Sequence, residues 1–182
     1  MHLDITDGYF TPIVSWNTVE DIRFLDGKSK IEIHLMVEKP EEIVSDWAEV
    51  ADRIIIHQEA TENLQEIIDS FTSSVIKIGV ALLLPTPVET LALDLSKISF
   101  VQLMSIAEIG EQSHPFDDRV LEKIKPLRAL QSGVTIQIDG GVNGKSAPLL
   151  VKAGAHRLAA GSYILRSKDP QRTIHELEHL PS

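Results

Sequence analysis

The chain has 182 residues, 43% of them hydrophobic, and a formal net charge of −10; its mean hydropathy is +0.02. That suits one domain with a real core, residues 1–182, and the acidic balance offers no basic stripe to nucleic acid or to an anionic membrane surface. Cysteine is absent, which removes disulfides and thiol catalysis. No stretch has the apolar length of a membrane span, and the first residues read as a strand instead of a secretory leader, so the chain reads as cytoplasmic.

Short Ile- and Val-rich runs alternate with amphipathic stretches. The expected strands are 1–5, 30–37, 53–58, 75–84, 98–106, 134–139 and 157–160. Their near-continuous hydrophobicity suits strands covered on both faces, as in a parallel sheet. Between them helices are expected over 18–25, 40–50, 61–71, 87–95, 117–130, 145–153 and 170–180. Asp26-Gly27 is a stop signal for the first. Pro40 followed by acidic residues favours the start of the second. Leu64, Ile67, Ile68 and Phe71 form a helical stripe in the third. Strict alternation of this kind predicts an α/β fold, either an open doubly wound sheet or a (β/α) barrel. The barrel is favoured because polar groups recur at the C-terminal ends of several strands, where barrel active sites lie. A full eight-stranded barrel takes about 200 residues or more. The chain is therefore expected to show seven βα units and to lack the first strand and helix, an incomplete barrel.

Four of those polar groups stand out. His2 and Asp4 occupy the first strand, His34 the second, and Asp139 ends the sixth. A His or Asp within an apolar strand needs a partner. Two imidazoles and two carboxylates could together hold one divalent metal ion. Two carboxylates facing one carbon can also carry a proton from one face to the other. The simpler readings are a solvated His2 near a chain start, a hydrogen-bonded core His34, and an Asp139 that shapes a turn. Asp7 is expected to serve the turn at Gly8. His57 and Glu59 stay open between supporting the site and a structural role. His114, His156, His175 and His179 are expected at the surface, and Trp16 and Trp47 in the core or an interface.

Glycine-rich turns follow the last two strands, Gly140-Gly141 and Gly161-Ser162. Glycine lets backbone N–H groups approach a ligand closely, and a short helix starting near Ser162 would add its positive end. Loops at these positions of barrels often take phosphate. A phosphorylated small molecule is thus compatible with the acidic chain.

The order and spacing of these blocks resemble the ribulose-phosphate 3-epimerase family. The resemblance runs from His2-Leu3-Asp4 and Asp7-Gly8-Tyr9-Phe10-Thr11-Pro12 through Ile33-His34-Leu35-Met36-Val37 and His57-Gln58-Glu59-Ala60-Thr61. It continues through Gly79-Val80-Ala81-Leu82, Leu103-Met104-Ser105, Ile138-Asp139-Gly140-Gly141-Val142 and Ala160-Gly161-Ser162. It implies a (β/α)8 barrel of the ribulose-phosphate-binding type and interconversion of D-ribulose 5-phosphate and D-xylulose 5-phosphate, a reaction of pentose phosphate metabolism. It implies one divalent metal ion (zinc, iron(II), manganese or cobalt) on His2, Asp4, His34 and Asp139. Asp4 and Asp139 would be the acid–base pair, with the metal as Lewis acid. Gly140, Gly141, Gly161 and Ser162 would grip the phosphate, and Met36 and Met104 would line the pocket. The implied partner is a phosphosugar, and the unpaired sheet edges of a seven-stranded barrel make a homo-oligomer possible.

Besides lacking the family's first strand and helix, the chain departs from the family in three further places. The family's Pro-Gly-Phe-Gly-Gly-Gln loop reads Ile106-Ala107-Glu108-Ile109-Gly110-Glu111-Gln112-Ser113-His114-Pro115-Phe116 here. Thr6 stands where the family often has Met, and Leu83-Leu84 stands where a polar pair is common. These differences keep two rivals in view: an epimerase for a different ketose phosphate, and a truncated barrel that binds ligands or partners without turnover.

Overall fold

The apolar runs form strands, and each strand is parallel to the next wherever a register is defined. The computed structural model describes residues 1–15, 18–24, 29–91, 93–111 and 114–180. Expectations for Trp16, Leu25, Asp26-Gly27, Ala92, Gln112 and Ser113 lie outside the described residues. The chain divides into two compact units, Met1–Ala81 with Ala92–Phe100, and Leu82–Leu91 with Val101–Ser182.

The first unit holds β1 (His2–Thr6), α1 (Val19–Arg23), β2 (Glu32–Met36), α2 (Val44–Ala48), β3 (Arg53–His57), α3 (Leu64–Ser70) and nearly all of β4 (Lys77–Leu82). Parallel pairing sets Asp4 beside His34 and Thr6 beside Met36 between β1 and β2. It sets His34 beside Ile55 between β2 and β3, and His57 beside Ala81 between β3 and β4. Ile33, Leu35, Ile54, Ile55 and Ile56 are wholly buried, as expected of strands covered on both faces. Trp47 is buried as well, a core residue on α2. The expected helix over 40–50 is split into a 3-10 turn, Pro40–Glu42, and α2, because Ile43 leaves helical geometry at φ −125°.

The buried packing of this unit leaves no room for a side chain at Gly79. A Cβ at Gly79 in β4 would lie 2.4 Å from the buried Phe100 ring. Gly79→Ala is therefore expected to destabilise by about 1–3 kcal/mol through overpacking. Urea denaturation reads this as a lower midpoint, and an unchanged midpoint would show that the Phe100 ring moves aside freely.

The second unit holds β5 (Phe100–Met104, from Val101 on), α4 (Val120–Leu130), β6 (Thr135–Asp139), α5 (Ser146–Ala153), β7 (Arg157–Ala159), α6 (Gly161–Leu165) and α7 (Pro170–Glu178). β6 and β7 pair in parallel, with Asp139 beside Ala159. Strand order in the sheet repeats chain order, β1 to β7. The expected helix over 87–95 is not α-helical. It appears as two 3-10 turns, Val88–Thr90 and Leu95–Lys97. The Thr90 hydroxyl donates to the Pro87 carbonyl at 2.7 Å, and Asp94 accepts from the Ser96 N–H at 3.1 Å. Such side-chain bonds compete with helical ones. The helix expected from Asp117 begins at Val120, because Asp117 first closes a turn on the Arg119 N–H. No helix among the described residues is long and apolar enough to cross a membrane.

Candidate functional site

In the first unit, strand alternation puts His2, Asp4 and Thr6 on one face of β1. Register then brings His34 of β2 against Asp4. One carboxylate oxygen of Asp4 is approached by two imidazoles, His2 Nε2 at 3.2 Å and His34 Nδ1 at 3.0 Å. The Asp4 side chain is 40% exposed, so a ligand can reach it. Burial opposes its ionisation, but the hydrogen bonds to His2 and His34, with their charges, outweigh that and hold the carboxyl well below the usual carboxylate range. His2 is steadied from behind by Glu32, whose Oε1 lies 2.8 Å from Nδ1. His34 is wholly buried and meets the equally buried His57, Nε2 to Nε2, at 2.9 Å. His57 Nδ1 in turn faces Glu59 Oε2 at 3.4 Å, and Phe10 packs on the His57 ring at 5.0 Å.

Nitrogen and anionic oxygen donors crowded on one point are what a divalent cation needs. The three side chains of this unit therefore fit a metal ion. Asp7 does the work expected of it: its carboxylate accepts from the N–H groups of Tyr9, Phe10 and Glu38 and closes the turn after β1.

In the second unit, Asp139 ends β6. Its Oδ2 accepts from Gln102 Nε2 at 3.2 Å, and Gln102 Oε1 accepts from Gln137 Nε2 at 2.7 Å. Both glutamines are buried. The backbone at Asp139 is pinned as well, its carbonyl accepting from the Ser105 N–H at 2.8 Å and from the Ser105 hydroxyl at 3.0 Å. Met104 lies in this core, with its sulfur 3.5 Å from Gln102 Nε2, and Met36 is buried at the end of β2.

Gly140 and Gly141 both have positive φ, 107° and 63°. A Cβ on Gly140 would strike Ile106 at 2.8 Å, and one on Gly141 would strike the Phe116 backbone at 2.5 Å. The loop that departs from the family thus packs directly on the Gly-Gly turn. A cleft of about 390 Å³ opens beside it, lined by Gly141, Asn143, Ser162, Tyr163 and Arg166 among others. Gly141 and Ser162 of the expected phosphate grip meet in this cleft; Gly140 and Gly161 are their chain neighbours. Ser162 sits in α6, the short helix expected near it.

Sequence reasoning did not single out Glu32, Gln102 or Arg166. Gln102 carried a readable signal, a polar side chain inside the apolar run of β5. Arg166 is one helical turn beyond Ser162, where a cation can share an anion with the loop. Glu32 becomes relevant only once register places it opposite His2.

Comparison with known proteins identifies the family and the fold. The Ribulose-phosphate 3 epimerase family matches residues 1–165. A ribulose-phosphate 3-epimerase of Bacillus subtilis (strain 168) is 31% identical over 185 residues, an alignment spanning 97% of this chain and 84% of that protein. The chloroplastic ribulose-5-phosphate-3-epimerase of Arabidopsis thaliana is 32% identical over 184 residues, 96% of this chain and 64% of that protein. Among solved structures, a 3-hexulose-6-phosphate synthase superimposes with TM-score 0.64 at 18% identity, covering 90% of this chain and 79% of its own. KGPDC from Streptococcus mutans does so with TM-score 0.63 at 20% identity, covering 89% and 78%. At such identities the structural likeness establishes the fold, a parallel (β/α) barrel type.

Proposed function

We propose, from the premise that this chain belongs to the ribulose-phosphate 3-epimerase family, that it inverts the carbon beside the ketone of a ketose phosphate, with D-ribulose 5-phosphate and D-xylulose 5-phosphate as the substrate pair. The enzyme class is an isomerase acting on carbohydrates. In this reading His2, Asp4, His34 and Asp139 each give one ligand atom to a divalent metal ion. A donor set of two imidazoles and two carboxylates accepts zinc, iron(II), manganese or cobalt. When bound, the ion supplies positive charge for the substrate oxygens next to the carbon that loses its proton. The observation that carries the reading is the convergence of His2 and His34 on one oxygen of Asp4.

Asp4 and Asp139 are the acid–base pair. Epimerisation needs one carboxylate to take the proton from one face of the carbon and a second carboxyl to return a proton to the other. Asp4 is kept ionised by its imidazoles and can accept a proton at the start of the reaction. Asp139 is aimed by Gln102, whose amide donates to its Oδ2. The phosphate is assigned to the cleft at Gly141 and Ser162, with Gly140 and Gly161 shaping its loops and the Arg166 guanidinium adding charge. Met36 and Met104 form apolar wall near the strand ends.

The direct test is conversion of D-ribulose 5-phosphate in an assay coupled to xylulose 5-phosphate, with zinc, manganese or iron(II) supplied and bound metal measured. Metal-dependent turnover is the expected result. A purified chain that binds no transition metal and turns over no ketose phosphate would leave the non-catalytic barrel as the reading.

A different ketose phosphate is the second reading, and Thr6 favours it. Thr6 is 1% exposed, its hydroxyl has no hydrogen-bond partner among the described residues, and it shares the β1 face of Asp4. A buried hydroxyl without a partner costs about 1–3 kcal/mol, which a sugar hydroxyl would recover. Thr6→Val keeps the shape. It is expected to raise KM for the true substrate about tenfold while leaving the fold as stable or more so. Steady-state kinetics across several ketose phosphates reads this, and an unchanged KM for every one of them would remove Thr6 from recognition.

A further inference from the structure

β1 is first in a strand order that runs β1 to β7, and among the described residues it pairs with one strand only, β2. It nonetheless carries Asp4 and Thr6. In a parallel strand the N–H and C=O of one residue point to the same side, and those of the next residue to the other. The Glu32 N–H of β2 donates to the Met1 carbonyl at 2.9 Å. Odd-numbered residues therefore face β2, and the backbone groups of His2, Asp4 and Thr6 face the outer edge. Such an edge offers a row of donors and acceptors to whatever can pair with it, and it is where a strand opens most readily.

One residue takes up that row where the two side chains stand. The Ser15 hydroxyl donates to the Asp4 carbonyl at 3.0 Å and accepts from the Thr6 N–H at 2.9 Å. The Ser15 N–H donates to the Thr6 carbonyl at 3.2 Å. Backbone groups on both sides of Ile5 are thus bound by a single residue. A hydroxyl can give and accept at once, which a methyl cannot. The loop is built to bring Ser15 back. The Asp7 carboxylate closes a turn on the N–H groups of Tyr9 and Phe10, Gly8 has φ 80°, and the chain returns so that Val14 bridges Asp7 in antiparallel fashion. A Cβ at Gly8 would lie 2.8 Å from Val14 Cγ2, so glycine permits the return.

We propose that Ser15 is a positioning residue: it stands in for a neighbouring strand and holds the Asp4–Thr6 segment, so that the Asp4 carboxylate and the Thr6 side chain keep their places on one face of β1. The inference rests on the reading of Asp4 as ligand and base and goes beyond it, because Ser15 acts only through the backbone of β1. Misplacing a reacting group by about 1 Å can cost on the order of a hundredfold in rate. Fixing β1 on its second side therefore has a kinetic consequence as well as a structural one.

The test compares the full chain with Ser15→Ala, Ser15→Cys and Ser15→Thr, at a temperature below every melting transition. Ser15→Ala removes both hydroxyl bonds and keeps the N–H. Hydrogen exchange at the Thr6 amide, read by NMR, is expected to quicken about tenfold, the worth of one hydrogen bond. In the same variant kcat for D-ribulose 5-phosphate is expected to fall about 10–100-fold, and zinc affinity, measured by chelator competition, about tenfold. Ser15→Thr keeps the hydroxyl and is expected to restore all three. Ser15→Cys has a weaker donor and acceptor; it is expected to fall between, and it carries the comparison if the alanine variant does not fold. A merely structural role would lower the melting temperature without the losses in kcat and zinc affinity. Unchanged Thr6 exchange in folded Ser15→Ala overturns the clamp. Faster exchange with parental kcat and zinc affinity overturns the positioning role and leaves the catalytic reading standing. An unsubstituted chain that neither binds zinc nor turns over substrate overturns the catalytic reading itself, and the positioning role with it.

Discussion

Asp139→Asn is expected to lower epimerisation by about 10⁴-fold, the upper range of what one general acid–base group supplies, while the chain stays folded. The chemistry is lost because an amide neither takes nor gives the proton at the substrate carbon. The fold is kept because what holds the end of β6 is mostly backbone. The Asp139 carbonyl accepts from the N–H and hydroxyl of Ser105 whatever the side chain is. Asn can still turn its oxygen toward Gln102 Nε2, now 3.2 Å from the carboxylate, so the buried Gln102–Gln137 pair is undisturbed. The three proposed ligands of the first unit are untouched, so metal binding is expected to weaken without disappearing. A coupled turnover assay, a melting curve and a metal titration together check this. Turnover within tenfold of the parent chain would remove Asp139 from the acid–base role.

The strands were readable because their Ile and Val runs are nearly unbroken, and burial on both faces explains that composition. His2, Asp4, His34 and Asp139 were readable for the complementary reason: each is polar where its strand is apolar. Their partners were not, because a partner is set by register. That Asp4 lies beside His34 and Glu32 beside His2 is a property of the parallel pairing of β1 with β2, which no local window contains. The open choice for His57 could be narrowed only by seeing its ring on His34. The stretch 87–95 shows the opposite failure. Its apolar spacing suits a helix, but the Thr90 hydroxyl and the Asp94 carboxylate bind nearby backbone and the chain settles into two 3-10 turns. The divergent loop was legible as a difference in charge and glycine content. That its Ile106 and Phe116 press on the Gly140-Gly141 turn required coordinates.

Asp4→Asn separates the two duties assigned to one carboxylate, ligand and proton acceptor. Its oxygen is the point on which His2 Nε2 and His34 Nδ1 converge, so replacing the anion with a neutral amide takes away the negative charge at the centre of the donor set. Metal affinity should fall on the order of a hundredfold, the upper end of what loss of a supporting partner costs, since here a ligand itself is weakened. Turnover should fall at least as far as in Asp139→Asn. Both variants lose one carboxylate, yet they differ in where the rest of the site stands. Asp139→Asn leaves the cluster on β1 and β2 intact, whereas Asp4→Asn leaves two imidazoles facing an amide. Raising the metal concentration until the Asp4→Asn chain is saturated isolates the second duty. If Asp4 also moves the proton, the saturated variant stays inactive, because refilling the site restores charge near the substrate but not the group that accepts hydrogen from it. Turnover that returns with added metal would make Asp4 a ligand alone and would require another base on that face of the sugar.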